Sequence, residues 1–515
     1  MFIINNIEDQ ILLLTLAKIP SNLLVNQPYN DLSKYFSYTE QLMKFFIYTF
    51  HFLFGINYLN VLILVAIFMN LLFSYFLFKR FKYGYLYAIL FSFSSYFWLH
   101  LGTHISLSQL WLYPLLFILL NKKYKNLYFE LIYFSLYLLF SIFISNYIGF
   151  ILLIYFCHFL LFDLIVSFFK THKINFNKIF FLLITIFIVG SGSLLVFKAY
   201  KNSMNYLELN SLDTRPLEDF FTFSSRPWYF LISSPKSLIY SQFSTQALDN
   251  IKSTGYFLAD DYFNGEHPAS FFGYVLLLTF FVVSGYILYK GSNEQKLNLY
   301  KYWFINICLF LFMMPPFFTL AGITIYTPGW LIYKFFPMFR TTVRMSVLIL
   351  LNILLVLAPF FDDLSRKYPK KHLLIFTFVT FLTGLTLLET FIPVKIQFLD
   401  TPPQVYSYIG ENHAGTNFVV YPYPKNQEAL FWVDVHKSYL LNIRMYKKGD
   451  FDSEIFTKAL NTDKGLLDLK NRKVDYLIAF KDISNEDLNF FQNNKTQTLN
   501  LEKEFDDSYL FKVLK

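Results

Sequence analysis

Glu8 and Asp9 set two carboxylates side by side near the start of this sequence. A carboxylate held at the edge of a bilayer can act as general base on an acceptor hydroxyl, provided the hydroxyl sits within hydrogen-bond reach. The plain alternative is a solvated pair at the start of a loop. Arg340 and Arg344 lie four residues apart, a spacing that puts both on one face of a helix. Arginine holds a phosphate through two parallel hydrogen bonds, so the pair is a candidate lipid-phosphate seat. Snorkelling to phospholipid head groups accounts for the same spacing.

A third group lies between Tyr200 and Ser270, where Asp213, Arg215, Glu218, Asp219 and Arg226 precede the acidic run Asp260, Asp261, Glu266 and His267. Carboxylates beside a histidine suit a divalent cation, yet no spacing here matches a defined metal site, so a cation requirement is left open. Most of these residues read as surface or ion-paired groups. Glu266 and His267 stand apart because a long apolar run follows them directly, which makes them candidates near a substrate or metal. His100 and His104 flank the short turn Leu101-Gly102-Thr103; a histidine there is more often a cap or packing residue than a catalyst, and His104 is kept as a site candidate. Further on, Trp432-Val433-Asp434-Val435-His436-Lys437 could line a binding face. No glycine-rich phosphate loop, G-x-S-x-G elbow, H-E-x-x-H or C-x-x-C is present to support an ATPase, serine hydrolase, zincin or thioredoxin reading.

The elements that must carry these residues follow from composition. Of 515 residues 55% are hydrophobic and only 15% charged, a mix that excludes an ordinary soluble domain of this size. The chain reads as a polytopic membrane protein. With 66 Phe and 39 Tyr, a single aromatic residue carries little information on its own. The net charge of +9 does not mark a nucleic-acid surface, because from Val394 onward 16 Lys and Arg face 17 Asp and Glu and the excess lies upstream. Cys157 and Cys308 both fall inside apolar runs and suggest neither a disulfide nor a metal site. The first apolar run contains Glu8 and Asp9 and has no basic segment before it, unlike a cleavable signal peptide.

A bilayer core takes about 20 apolar residues per helix. That measure gives about ten spans: Tyr58 to Phe78, Tyr83 to His100, Ser106 to Leu120, Leu127 to Ile144, Tyr147 to Phe169, Ile179 to Phe197, Phe271 to Tyr289, Tyr302 to Leu320, Thr342 to Phe361 and Leu373 to Pro393. Alternate connectors carry the positive charge: Lys79, Arg80 and Lys82; Lys122, Lys123 and Lys125; Lys170, Lys173 and Lys178; Lys290, Lys296 and Lys301; Arg366, Lys367, Lys370 and Lys371. These are the expected cytoplasmic connectors. The N-terminal segment 1–57, the loop 200–270 and everything after Pro393 then fall outside, and so polar an external N-terminus implies a further helix upstream.

Within that first segment, Ile11 to Leu24 is amphipathic and Gln41 to Ile56 is a short apolar stretch, both suited to lying on a membrane surface. After Pro393 the pattern changes to a helix at Val405 to Glu411, a strand at Asn417 to Tyr421, helices at Ser453 to Leu460 and Gly465 to Asn471, and strands at Val474 to Phe480 and Tyr509 to Leu514. The expected architecture is an α-helical polytopic membrane bundle over 58–393 followed by a small extracytoplasmic α/β domain over 394–515.

Four groups of residues point to a family. Glu8-Asp9-Gln10 is followed by Leu23-Leu24 and Pro28-Tyr29; Phe91-Ser92-Phe93-Ser94-Ser95-Tyr96 leads to His100, Gly102, His104, Trp111 and Pro114; Glu266 precedes Phe272-Gly273-Tyr274; and Phe339-Arg340 is followed by Arg344-Met345. Together they resemble the GT-C superfamily of integral membrane glycosyltransferases, in particular its prokaryotic branches. The resemblance implies an active site outside the plasma membrane, a polyprenyl-phosphate-linked sugar as donor, and a glycan, lipid or protein as acceptor. It also implies Asp9 as general base, with Glu8 competing for the role, and a cationic residue near the lipid phosphate, for which Arg340 and Arg344 are the candidates. Membrane lipid is an expected partner, nucleic acid is not, and no organic cofactor is implied. Two other readings stay open, a transporter of lipids or lipid-linked saccharides and a non-catalytic envelope assembly protein. Transport would call for ionisable groups deep in the spans and broken helices, for which Glu130, Asp163, Pro315-Pro316 and Gly190-Ser191-Gly192 are the candidates.

Overall fold

The computed structural model of the chain describes residues 2–4, 41–54, 58–101, 104–122, 127–172, 176–206, 217–253, 266–320, 322–394, 396–398, 401–442, 447–448, 451–493 and 497–514. The chain divides into two compact units, one made of Leu62–Phe197 and Asp213–Val394, the other of Met1–Val61, Lys198–Leu212 and Lys395–Lys515.

The first unit is helical. Among the described residues, five helices are long and apolar enough to cross a membrane: Asn60–Phe78, Asn146–Lys170, His267–Lys290, Thr342–Lys367 and Pro369–Thr390. Of these, Thr342–Lys367 is 94% buried along its apolar window, whereas the other four are 39–56% buried. A helix that is apolar all round and covered all round is the axis of a bundle. Its neighbours turn Leu64, Phe68, Phe187, Leu278, Val282 and Phe381 outward, as a lipid-facing wall does.

Helices Tyr58–Phe78 and Leu127–Ile144 keep their expected limits. Three expected spans differ. The stretch from Tyr83 to His100 is two helices, Gly84–Ser92 and Ser95–His100, because the chain turns extended at Ser94. Only Leu112–Leu120 is helical in the next stretch, and nine residues rise about 13 Å, well short of a bilayer core. The helix expected from Tyr302 begins earlier, at Asn293, where Ser292 and Gln295 form a reciprocal capping box. It stops at Met313, since Pro315 and Pro316 cannot continue it, and an antiparallel hairpin of Phe317–Leu320 and Ile323–Tyr326 follows. Gly190-Ser191-Gly192, taken above as a helix breaker, lies within the continuous helix Phe176–Tyr206.

Three of the basic connectors meet one end of the axial helix. Lys82 donates through its backbone N–H to Asp362 (3.2 Å) and through Nζ to Ser365 (3.1 Å), Gln295 Nε2 donates to Asp363 (2.8 Å), and Arg366 pairs with Asp362 (2.8 Å). Arg344 lies at the opposite end of that helix, about 33 Å away by its length.

In the second unit, strand Phe2–Ile4 pairs antiparallel with Ile396–Phe398. A five-stranded sheet follows in the order Leu499–Glu504, Ser508–Val513, Tyr476–Phe480, Asn417–Tyr421, Tyr439–Leu440. The last three strands are parallel and the first two join antiparallel. Its core is formed by Val419, Leu466, Leu469, Leu477, Phe491 and Phe511. Helix Gln41–Phe54 is also described; Ile11 to Leu24 lies outside the described residues.

One junction at the Arg344 end fixes where a spanning helix starts. Gly273 caps helix Tyr274–Lys290 and has no side chain to satisfy the free N–H groups of its first turn. Glu389, buried at the end of helix His372–Thr390, does so from outside, accepting from Val275 N (3.2 Å) and from the Tyr240 hydroxyl (2.8 Å). Gly273 has φ +88°, and a Cβ on it would stand 2.6 Å from Glu389 Oε2. Gly273→Ala is therefore expected to destabilise the protein by about 1–3 kcal/mol, read as a lower thermal midpoint in detergent; an unchanged midpoint contradicts this account of the junction.

Candidate functional site

Three non-helical segments meet at the Arg344 end of the helical unit. The first is the stretch 104–111. Backbone that leaves the helix inside an apolar bundle needs side-chain partners. Fully buried Asn70 supplies them, donating from Nδ2 to the Ser108 carbonyl (2.9 Å) and accepting from Trp111 N (2.8 Å). The second segment is Glu266 with the 3-10 turn His267–Ser270, tied to the first by Ser95 Oγ donating to the Phe271 carbonyl (2.7 Å). The third holds the 3-10 turns Pro337–Phe339 and Thr342–Met345. Ser346 Oγ ties it to the Ala269 carbonyl (3.0 Å), Tyr147 reaches the Met338 carbonyl (3.0 Å), and Phe150 stacks on Phe339 with centroids 3.9 Å apart.

Helix Ser95–His100 and the second and third segments each contribute one charged or ionisable group to a common cluster. Arg344 lays its Nε and Nη2 against the two carboxylate oxygens of Glu266, with Nε 3.3 Å from Oε2 and the Nη2 to Oε1 bond the closer of the two. Glu266 Oε2 also meets His100 Nε2 at 3.0 Å. The side chains are 8%, 12% and 1% exposed, which makes this a desolvated ion pair, so removing one partner would cost about 3–5 kcal/mol. The Tyr147 ring covers the guanidinium, 4.5 Å from Cζ, and adds a cation–π contact.

The hydrogen bonds of His100 constrain its protons. Nδ1 lies 2.8 Å from the Tyr96 carbonyl, which only accepts, so Nδ1 carries a proton. The Nε2 contact with Glu266 then requires a second proton, on the ring or on the carboxyl. Burial pushes the Glu266 carboxyl up, but the adjacent Arg344 guanidinium and His100 more than offset it and hold Glu266 well below the usual carboxylate range. His104, the next histidine along, is pushed down to about 3 by burial and then by the Arg344 charge. The result is an Arg–Glu–His constellation able to hold an anionic oxygen or exchange a proton at the end of an apolar bundle.

The structure separates the two arginines that the sequence put on one helical face. Neither stands in an α-helix, because Pro337 and the 3-10 turns precede the axial helix, which begins only at Ser346. Arg340 instead pairs with Asp219 and covers the Phe223 ring with Cζ at 4.8 Å. His267 is buried against the Tyr229 ring, 5.6 Å between centroids. Glu8 and Asp9, like Asp213, Arg215, Asp260 and Asp261, lie outside the described residues. Among the described residues no group of three His, Cys, Asp or Glu could hold a metal ion. In the other unit, Trp432, Val433 and His436 are buried, and His436 bonds to the Ala429 carbonyl and the Ser438 N–H, so these three are packing residues and not a binding face.

Asn70, Tyr147 and Glu389 were not singled out from the sequence, and Tyr96 entered only within the stretch Phe91 to Tyr96. Glu389 carried a usable signal, as a carboxylate inside an apolar run; Asn70 and the tyrosines did not, among so many similar residues. No protein-family model matches the chain, and no curated protein matches it in sequence.

His104 gives the site a pH signature. Its folded pKa is depressed, so it contributes stability that is present above its unfolded value near 6.5 and is lost as pH falls toward about 3. Glu266, also depressed, gives way only below the carboxylate range. The thermal midpoint of the wild type is expected to fall between pH 6.5 and 4, with a smaller fall in His104→Gln; equal slopes in the two proteins contradict this assignment.

Proposed function

We propose that the protein is an integral membrane glycosyltransferase of GT-C type, moving a sugar from a polyprenyl-phosphate carrier to an acceptor hydroxyl. The observation that carries this reading is the buried Arg344, Glu266 and His100 constellation at the end of the axial helix away from the basic connectors. Fixed cationic groups in a low-dielectric site act most strongly where negative charge develops, and in this reaction charge develops on the departing phosphate. In this reading Arg344 neutralises that phosphate, and Asp9, or Glu8 beside it, takes the proton of the acceptor. The chain crosses a prokaryotic plasma membrane several times with the Arg344 end facing outward, and the C-terminal α/β domain selects the acceptor.

A second reading, a transporter of lipid-linked saccharides, draws on a polar chain inside the bundle. Tyr155 donates to Asn352 (2.7 Å), Asn352 donates to Asn306 (2.6 Å), and Asp163 pairs with Lys301 (3.1 Å). The deciding experiment follows consumption of radiolabelled polyprenyl-phosphate sugars by the protein in nanodiscs, with a panel of acceptors. Turnover is expected in the wild type, to be lowered about 100-fold or more in Asp9→Asn with donor binding retained, and to be lost with weakened donor binding in Arg344→Ala. Donor binding without turnover favours the transporter. Turnover at wild-type rate in both variants refutes the assigned roles.

A further inference from the structure

Arg344 is already occupied. Glu266 uses the Nε and Nη2 edge of the guanidinium, the same two-pronged edge on which arginine holds a phosphate. A phosphate arriving at Arg344 would therefore stand against a carboxylate in a site with little water, and two like charges at that distance repel strongly. Either Arg344 binds no anion, or Glu266 gives way.

The surroundings provide for the second outcome. Glu266 Oε2 already touches His100 Nε2 at 3.0 Å, so an alternative hydrogen-bond partner is in place before Arg344 is released. The proton that this contact requires, added to the guanidinium, leaves the cluster with one positive charge more than the single carboxylate can balance. Tyr96 and Tyr113 add donors. Both hydroxyls are buried within electrostatic reach of Arg344, and at best they bond to each other, so at least one O–H lacks an acceptor. Among the described residues, the titratable and charged groups around Glu266 are Arg344, His100, His104 and Tyr96, with Tyr147 over Arg344. None of them is a carboxylate.

We propose that Glu266 is a resident stand-in for an anionic head group: it holds Arg344 and is displaced onto His100 when a phosphate ester takes its place. No covalent bond changes in this step. The inference rests on reading Arg344 as the phosphate-binding residue, and it adds that the protein covers its own anion seat with an internal carboxylate.

The test measures binding of farnesyl phosphate to the detergent-solubilised protein by thermophoresis, with inorganic phosphate and farnesol as controls. Glu266→Gln removes the competing charge and is expected to bind farnesyl phosphate about tenfold tighter than the wild type. Arg344→Gln is expected to lose binding in both the wild-type and the Glu266→Gln background. Glu266→Gln binding equally or more weakly, with Arg344→Gln still losing binding, overturns the stand-in and leaves the phosphate reading intact. Binding of Arg344→Gln at wild-type strength overturns both. Inorganic phosphate binding as tightly as farnesyl phosphate, and tighter in Glu266→Gln, supports the stand-in and assigns the seat to free phosphate. Should Glu266→Gln fail to fold, the wild type answers alone: farnesyl phosphate is expected to shift a carboxylate band in the infrared difference spectrum, and an unchanged carboxylate region overturns the proposal.

Discussion

A positive charge that cannot leave the end of an apolar bundle governs the rest of this structure. Arg344 is 7% exposed, and a guanidinium in that position is costly unless a carboxylate meets it with good geometry. Glu266 lies 78 residues earlier in the chain and His100 a further 166 residues before that. Bringing the three together obliges three segments to leave the helical path at one level of the bundle. The short helices and 3-10 turns at that level follow from this requirement.

Leaving the helix has its own cost, since backbone N–H and C=O groups away from water need partners. Side chains of the same end provide them, with Asn70, Ser95, Tyr147 and Ser346 each bonded to a main-chain group of one of these segments. Glu389 does the same for the start of helix Tyr274–Lys290, and Gly273 is the residue that leaves it room. The ion cluster and the backbone bonds therefore depend on one another. The Ser346–Lys367 helix supports both, and its other end is held by Asp362 and Ser365.

Much of the scaffold could be read from the chain. Helices Tyr58–Phe78 and Leu127–Ile144 and strand Asn417–Tyr421 follow from uniform apolar runs and from a short β-rich stretch bounded by turn residues. The expected span from Ser106 to Leu120 failed for a physical reason: hydropathy records that a segment avoids water but not whether its backbone is helical, and Asn70 lets this one be otherwise. Of the site, Arg344 and Glu266 were legible as charges next to apolar runs. Their union was not, because Arg340 four residues away suggested a shared helical face, and only tertiary structure sends Arg340 to Asp219 and Arg344 to Glu266. His100 read as a helix end, which it is; its second role needed the partner.

A double-mutant cycle on Glu266 and Arg344 tests most directly whether this ion pair organises the bundle. Stability would be measured for the wild type, Glu266→Gln, Arg344→Gln and the double variant in the same detergent. The account predicts that each single change leaves a buried charge unmatched, so the loss in the double variant falls short of the summed single losses by about 3 kcal/mol. Losses that simply add would contradict it, because they would mean that the two residues do not depend on each other and that something else holds the three segments together.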